Sequence, residues 1–134
     1  TRLSNEIEFM KGYIDLMKLR LSDRVKLTVS FPEDYADQDV PPLLFIPFIE
    51  NAFKHGVSAV GNSFIDIALG VEDGMITFIA ANSIGGRASD GPQVASGIGL
   101  DNVRKRLALL YPGRHDLRID RQESVYTVKL TVRS

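Results

Sequence analysis

Apolar side chains near the start of the chain recur at alternating steps of four and three residues, which is the pattern of one face of an amphipathic helix. The stripe comprises Leu3, Ile7, Met10, Ile14, Met17 and Leu21. Apolar and polar residues then alternate over 25–31, and Pro32 interrupts the alternation. The pattern predicts a first helix followed by a half-buried strand.

A second helix is predicted from Pro42 to Lys54. Proline suits the first turn of a helix because its missing N–H would have no intrahelical partner there. Pro47 lies inside the predicted helix, so we expect it to remove a backbone hydrogen bond and to bend the axis. Gly56 is placed to terminate the helix.

The rest of the chain contains two predicted hairpins, a long loop and a third helix. In order, these are strands at 65–71 and 76–80, a loop at 82–96, a helix from Gly97 to Leu110, and strands at 116–121 and 125–132. We expect the third helix to bury Leu100, Val103, Leu107 and Leu110. The order α-β-α-β-β-α-β-β predicts an α/β (α+β) two-layer sandwich, in which helices cover one face of a mixed sheet.

Composition narrows the classes of protein. With 134 residues, 44% of them hydrophobic, the chain is expected to form one domain with a packed core. The formal net charge of -1 provides no overall field for nucleic acid or an anionic membrane, so neither is an expected partner. Cysteine is absent, which removes disulfides and thiolate chemistry. The longest apolar run, Leu43–Ile49, is too short to cross a bilayer, so any membrane anchor is expected outside this chain.

The segment IENAFKHG, residues 49–56, gathers polar chemistry at the end of the second predicted helix. Glu50, Asn51, Lys54 and His55 together present an acid, a carboxamide, a cation and an imidazole within little more than one turn. Glu50 and Lys54 share a helix face because they are four residues apart. Taken alone, this cluster is more typical of a solvated helix face that carries a salt bridge, and a functional interpretation needs a second feature.

The segment SGIGLDNVRKRLALLYP, residues 96–112, is the second candidate. Gly97 and Gly99 allow close approach of a ligand to the backbone, and the helix that follows offers free N–H groups to a phosphate chain. A Gly-x-Gly before a helix is also common in ordinary tight turns. The glycine spacings of P-loops and dinucleotide folds are absent, and neither histidine lies in a zinc-type spacing.

Taken together, the two segments resemble the N box and the G2 box of the Bergerat-fold ATPases, the superfamily that contains histidine kinases, gyrase and MutL. The likeness is strongest to LytS-type sensor histidine kinases, including those that signal to LytTR-type response regulators. It extends over nearly the whole chain, in the strings EIEFMKGYIDLMKLR from Glu6, VPPLLFIPFIENAFKHG from Val40 and GIGLDNVRKRLALLYP from Gly97.

The resemblance implies a domain that binds ATP and Mg²⁺ and transfers the γ-phosphoryl group to a histidine. Asn51 would hold the magnesium ion through its side-chain oxygen, a ligand that suits this hard cation. Glu50 would be the catalytic acid that polarises or positions the attacking histidine. The implied nucleotide contacts are Lys54 and His55 at the phosphates or ribose, Gly97, Gly99 and Leu100 in the phosphate-side turn, and Asn102 and Arg106 near the triphosphate, with residues 88–96 as the ATP lid.

The adenine side departs from the superfamily pattern. An Asp-x-Gly-x-Gly motif usually follows the central hairpin, and its Asp accepts a hydrogen bond from the adenine amino group. Here the region reads IAANSIGGRASDG, with Ala81 or Asn82 at the expected position. Asn82 can accept the same bond through its amide oxygen, although a neutral acceptor is weaker than an ionised one. Gly85 and Gly86 would supply the backbone freedom of the missing motif.

The resemblance also implies an organisation beyond this chain. Residues 1–22 would be the end of a dimerisation region or the first helix of the catalytic domain, and residues 23–134 the ATPase domain. No candidate phosphoacceptor precedes His55, so the acceptor histidine is expected outside the chain, which should not autophosphorylate alone. The implied partners are the phosphoacceptor histidine region, a response regulator of possible LytTR type and a second copy in a homodimer. The implied location is the cytoplasmic side of an inner-membrane bacterial sensor.

An alternative function follows from the missing adenine Asp. In this hypothesis, the domain keeps the fold, binds nucleotide weakly and regulates through its first helix. The stripe from Leu3 to Leu21 would then be partly exposed and able to pair with another helix.

Overall fold

The computed structural model describes residues 1–57, 62–84 and 97–134. The helices are α1 (Leu3–Met17), α2 (Ile46–Val57) and α3 (Gly97–Leu110), and a short 3-10 helix (Lys18–Arg20) follows α1. The strands are β1 (Val25–Ser30), β2 (Ser63–Glu72), β3 (Met75–Ser83), β4 (His115–Gln122) and β5 (Val125–Arg133). The predicted order of helices and strands is confirmed.

The strands form one mixed sheet in the order β1-β2-β3-β5-β4. β1 pairs with β2 in parallel, and the other three pairs are antiparallel. The β2–β3 hairpin turns at Asp73 and Gly74, whose φ angles are 50° and 77°. Two consecutive positive φ angles are typical of the tight turns that match the twist of a hairpin.

One face of the sheet carries the hydrophobic core, and the helices cover it. The buried strand residues are Ile65, Ile67, Leu69, Ile76, Phe78, Ala80, Tyr126, Val128, Leu130 and Val132. The ring of Phe78 lies at the centre, with its centroid 5.1 Å from that of Phe45 and 6.1 Å from that of Phe48. The opposite face exposes polar side chains such as Asp66 and Lys129. The predicted α+β sandwich with helices on one face is confirmed.

The apolar stripe of α1 packs into this core. Leu3, Ile7, Met10 and Ile14 are buried, and Met17 and Leu21 pack partly buried against the core. The helix face that the alternative function requires to be exposed therefore packs against the core of this domain. Among the residues described, no helix is both long and apolar enough to span a membrane.

The start of α1 is held by the acidic loop rather than by a local cap. The backbone N–H of Leu3 donates to the Gln38 carbonyl at 2.7 Å, and the N–H and hydroxyl of Ser4 donate to the Asp37 carboxylate at 2.9 and 2.6 Å. These bonds satisfy N–H groups that have no partner within the helix. The hydrogen bond from the Ser4 hydroxyl is the main reason that the pKa of Asp37 is lowered.

Four predictions about the helices are wrong. α2 begins at Ile46 instead of Pro42, because Leu43 adopts a left-handed backbone with φ 58° that cannot belong to a right-handed helix. Pro47 consequently lies in the first helical turn, where its missing N–H costs nothing. Gly56 lies inside α2, which continues to Val57. On α3, Leu110 is exposed, and Tyr111 is buried in its place.

We expect replacement of Phe78 by alanine to lower the free energy of unfolding by about 3–5 kcal/mol, because a large buried ring is lost and its neighbours cannot fill the space. Urea-induced unfolding measures the change. Leu19→Ala is the control, since this side chain is 78% exposed and its loss should change stability by no more than about 0.5 kcal/mol. Equal losses in the two variants would contradict the central position of Phe78.

Candidate functional site

The polar face of α2 is defined by the burial of its other face. Ile49, Ala52 and Phe53 are buried against the sheet. Glu50 and Lys54 are exposed and Asn51 and His55 are half-buried, as the sequence pattern predicts. The helical period separates the two sets, so packing of the apolar residues directs the four polar side chains away from the core.

The carboxylate of Glu50 lies beside α1. It lies near the hydroxyl of Tyr13, a residue that packs partly buried against the core. Burial first, and then the charge and hydrogen bond of Glu50, raise the pKa of Tyr13, while the charge of Arg20 acts in the opposite direction. At neutral pH the Tyr13 hydroxyl therefore stays protonated and is able to donate to Glu50.

The C-terminal end of α2 meets the ends of two central strands. The ring centroid of His55 lies 6.3 Å from that of Tyr126, the second residue of β5. Tyr126 pairs across the sheet with Asn82, which lies near the end of β3. Both strand residues point to the helix layer, because Asn82 is 1% exposed and Tyr126 is 2% exposed. An imidazole, a phenol and a carboxamide thus converge from three elements.

The side chains of Tyr126 and Asn82 differ in their hydrogen bonding. Among the residues described, the buried hydroxyl of Tyr126 has no hydrogen-bond partner. The side-chain N–H of Asn82 donates to the Ser83 carbonyl at 2.9 Å. A buried polar group without a partner costs about 1–3 kcal/mol, so the Tyr126 hydroxyl is a place where a polar ligand atom would be stabilising. Burial raises the pKa of Tyr126, and the charges of Arg104 and Arg121 lower it in part.

The helix α3 begins at Gly97, as predicted. Leu100 is half-buried against the core and Asn102 is exposed. The guanidinium of Arg106 donates to the backbone carbonyls of Leu43, at 3.2 Å, and of Pro42. Arg106 therefore contacts the turn before α2, and its role near a triphosphate stays a prediction. Gly85 and the predicted lid at 88–96 lie outside the described residues.

Known proteins with similar sequences are sensor kinases. The sensor histidine kinase BtsS of Escherichia coli K12 is 25% identical over 131 residues, which cover 98% of this chain and 23% of BtsS. The sensor protein LytS of Oceanobacillus iheyensis is 27% identical over 56 residues, and the sensor protein kinase HptS of Staphylococcus aureus is 32% identical over 54 residues. These matches cover 42% and 40% of this chain and 10% of each relative. No family model matches the chain.

Solved structures show the same fold. The catalytic domain of histidine kinase ThkA superimposes with a TM-score of 0.69 at 12% identity, over 99% of this chain and 94% of that one. The histidine kinase domain of the blue-light activated kinase of Erythrobacter litoralis superimposes with a TM-score of 0.64 at 20% identity, over 90% and 61% of the two chains.

The chain has the fold of a histidine kinase catalytic domain. Its relatives by sequence include the sensor histidine kinase BtsS and the sensor protein LytS, which confirms the resemblance inferred from its motifs. The chain spans less than a quarter of the length of these relatives.

Two tyrosines of this histidine-kinase fold were not candidates on sequence grounds. Tyr126 stands in no recognisable motif, and only the alternation of β5 indicates that it faces the core together with Val128 and Leu130. Tyr13 lies on the partly buried side of α1, and its proximity to Glu50 depends on how two helices pack. The spacing of one helix contains no information about that contact.

We expect the Tyr126→Phe variant to be at least as stable as the wild type at pH 7, because the lost hydroxyl has no partner among the described residues. Above about pH 10, where an unfolded tyrosine ionises, the unfolded state releases a proton that the folded state retains. Stability contributed by Tyr126 is thus fully present below pH 10 and lost as the pH rises through its raised folded pKa. Urea unfolding at increasing pH should show a steeper loss in the wild type than in Tyr126→Phe. If the wild type and Tyr126→Phe lose stability equally as the pH rises, Tyr126 does not contribute to the pH dependence.

Proposed function

We propose that this chain is the ATP-binding catalytic domain of a sensor histidine kinase, and that it transfers the γ-phosphoryl group of Mg-ATP to a histidine outside the chain. The observation that carries the proposal is the convergence of Asn82, Tyr126 and His55 at the end of the polar face of α2. A buried carboxamide and a buried hydroxyl together suit a planar base with donors and acceptors on its edge.

On the adenine side, Asn82 and Tyr126 would divide the recognition. The amide oxygen of Asn82 would accept from the adenine amino group, while its N–H already donates to Ser83. The Tyr126 hydroxyl would donate to a ring nitrogen, which would satisfy a polar group that is buried without a partner in the described part of the chain. The hydrogen bond from Tyr126 would thus offset part of the binding strength that is lost when a neutral Asn82, and not an ionised Asp, accepts from adenine.

On the phosphate side, Asn51 would be the protein ligand of the magnesium ion. Mg²⁺ in kinases is usually held by nucleotide phosphates and water, with one or two protein ligands. When bound, the ion would neutralise charge on the phosphates. The N-terminus of α3 at Gly97 and Gly99 would present backbone N–H groups to the same phosphates.

Glu50 would orient the acceptor histidine. Its carboxylate is exposed, so a histidine from another domain or subunit has access to it. The Tyr13 hydroxyl would hold the carboxylate in place from the side of α1. Lys54, His55 and Asn102 would contact phosphate or ribose.

The remaining roles concern the protein beyond this chain. We assign residues 1–22 to the catalytic domain, because the apolar stripe of α1 packs into its core. The partners would be a phosphoacceptor histidine region, a response regulator and a second copy of the protein, on the cytoplasmic side of a membrane sensor.

The metal role of Asn51 predicts a loss that appears only with magnesium. In calorimetric titrations, Mg²⁺ should increase the affinity of the wild type for ATP. In the presence of Mg²⁺, Asn51→Ala should bind ATP roughly tenfold or more weakly than the wild type does. Asp66→Asn is the control, because Asp66 is an exposed residue on the opposite face of the sheet. Equal Mg-ATP affinity in Asn51→Ala and wild type would rule out the assigned role.

The adenine role of Asn82 predicts a change in base selectivity. ATP should raise the melting temperature of the wild type more than GTP does, because a ligand of the native state stabilises it in proportion to its affinity. Asn82→Ala should lose this difference, even though loss of the bond to Ser83 also lowers its own melting temperature. If millimolar ATP does not raise the melting temperature of the wild type, the proposed function is wrong.

A further inference from the structure

The two residues before the buried entry to α2 form a turn that is held by two other helices. This segment, Pro42–Leu43, is called the Leu43 turn. The backbone N–H of Leu43 donates to the Glu6 carboxylate of α1 at 3.1 Å. The carbonyls of Leu43 and Pro42 accept from the guanidinium of Arg106 on α3. Side chains from opposite ends of the chain thus satisfy both backbone polar groups of Leu43.

The Leu43 turn has little else to keep its shape. The φ of 58° at Leu43 is unfavourable for a residue with a bulky side chain. The Leu43 side chain is 48% exposed, so its own burial provides only part of the compensation. Glu6 is 5% exposed, and a buried carboxylate is costly unless it accepts hydrogen bonds. The conformation of the turn therefore depends on its contacts with Glu6 and Arg106.

The turn determines where α2 begins. Leu44 and Phe45 follow it directly and are buried, and the first helical residue is Ile46. Glu50 and Asn51 lie only one turn further along the helix. Because a short helix moves as a rigid unit, a change in its entry would displace the whole polar face.

We propose that Glu6 and Arg106 are positioning residues, which hold the Leu43 turn between α1 and α3 and so set the orientation of Glu50 and Asn51. The link from this orientation to ATP rests on the proposed function. The orientation itself depends only on the contacts of the turn. In this proposal Arg106 serves the site through the backbone, and a displacement of α1 relative to α3 reaches the polar face of α2.

Amide NMR spectra of the chain without nucleotide test the positioning directly. Glu6→Ala removes the acceptor for the Leu43 N–H, and Glu6→Gln keeps an acceptor oxygen at the same place. We expect Glu6→Ala and Arg106→Ala to shift the backbone amides of residues 44–51 and the side-chain amide of Asn51. In Glu6→Gln the chemical shifts of these amides should lie near those of the wild type, because the turn keeps its hydrogen bond.

Matched controls lie on the same two helices. Glu8→Ala removes an exposed acid of α1 that pairs with Lys11, and Lys105→Ala removes an exposed cation of α3. Neither should move the Asn51 amide. If Glu6→Ala does not fold, Arg106→Ala provides the same test from the exposed side of the turn. The proposal is wrong if Glu6→Ala or Arg106→Ala lowers the melting temperature and leaves the chemical shifts of the Asn51 amides unchanged. Such a residue would stabilise the fold without orienting Asn51.

Calorimetry with Mg-ATP then separates this proposal from the proposed function. Glu6→Ala should weaken binding roughly tenfold and Glu6→Gln much less, as is typical for residues that orient a ligand-binding side chain. The Glu6→Ala, Arg106→Ala double variant should lose no more Mg-ATP affinity than the single variant that binds more weakly, because both substitutions act on one turn. Additive losses would contradict a shared turn. If the wild type binds no ATP, the proposed function fails, and the NMR result still decides the positioning roles.

Discussion

The burial of one face of α2 against the inner face of the sheet is the constraint on which the site depends. Phe48, Ile49 and Phe53 must cover the strand residues around Phe78, and each such side chain contributes about 1.5–3 kcal/mol when it is fully buried. An exposed ion pair on the same helix would contribute about 0–1 kcal/mol. Packing therefore decides the rotation of α2 about its axis. Glu50 and Asn51 point outward because the aromatic residues cannot.

Most of the fold was predictable because hydrophobic period is a local property. The stripe of α1 and the alternation in β2, β3 and β5 each report burial within one element, and the structure confirms them. The start of α2 was not predictable in this way. The left-handed backbone of Leu43 is stabilised by Glu6 and Arg106, which lie far away in sequence. Near Tyr111 the chain leaves helical geometry, and this turns a new side chain toward the core in place of Leu110.

The site was predictable only where a motif marks it. Glu50 and Asn51 lie in a string that resembles a known family. The predicted loop at 82–96 is wrong at its start, because β3 continues to Ser83 and Asn82 is a strand residue. Tyr126 and Tyr13 carry no such signal, because each acquires its neighbour through tertiary packing. The contact of Arg106 with two carbonyls is equally invisible in a helix whose residue types suggest a phosphate partner. Sequence reasoning thus identifies candidates in strings that resemble a family, and it misses contacts that depend on tertiary packing.

The pairing of the strands also affects the order in which the chain folds. The hairpins β2–β3 and β4–β5 close through two-residue turns and need only local contacts, which form in about 1–10 μs in model hairpins. The pairs β3–β5 and β1–β2 join distant parts of the chain, and the parallel β1–β2 pair has α2 within its crossover. Non-local pairs require loop closure, which costs entropy, before their contacts form, so we expect them to be the slow steps. The helix that carries the polar face would then dock late, after both hairpins have formed the surface that orients it.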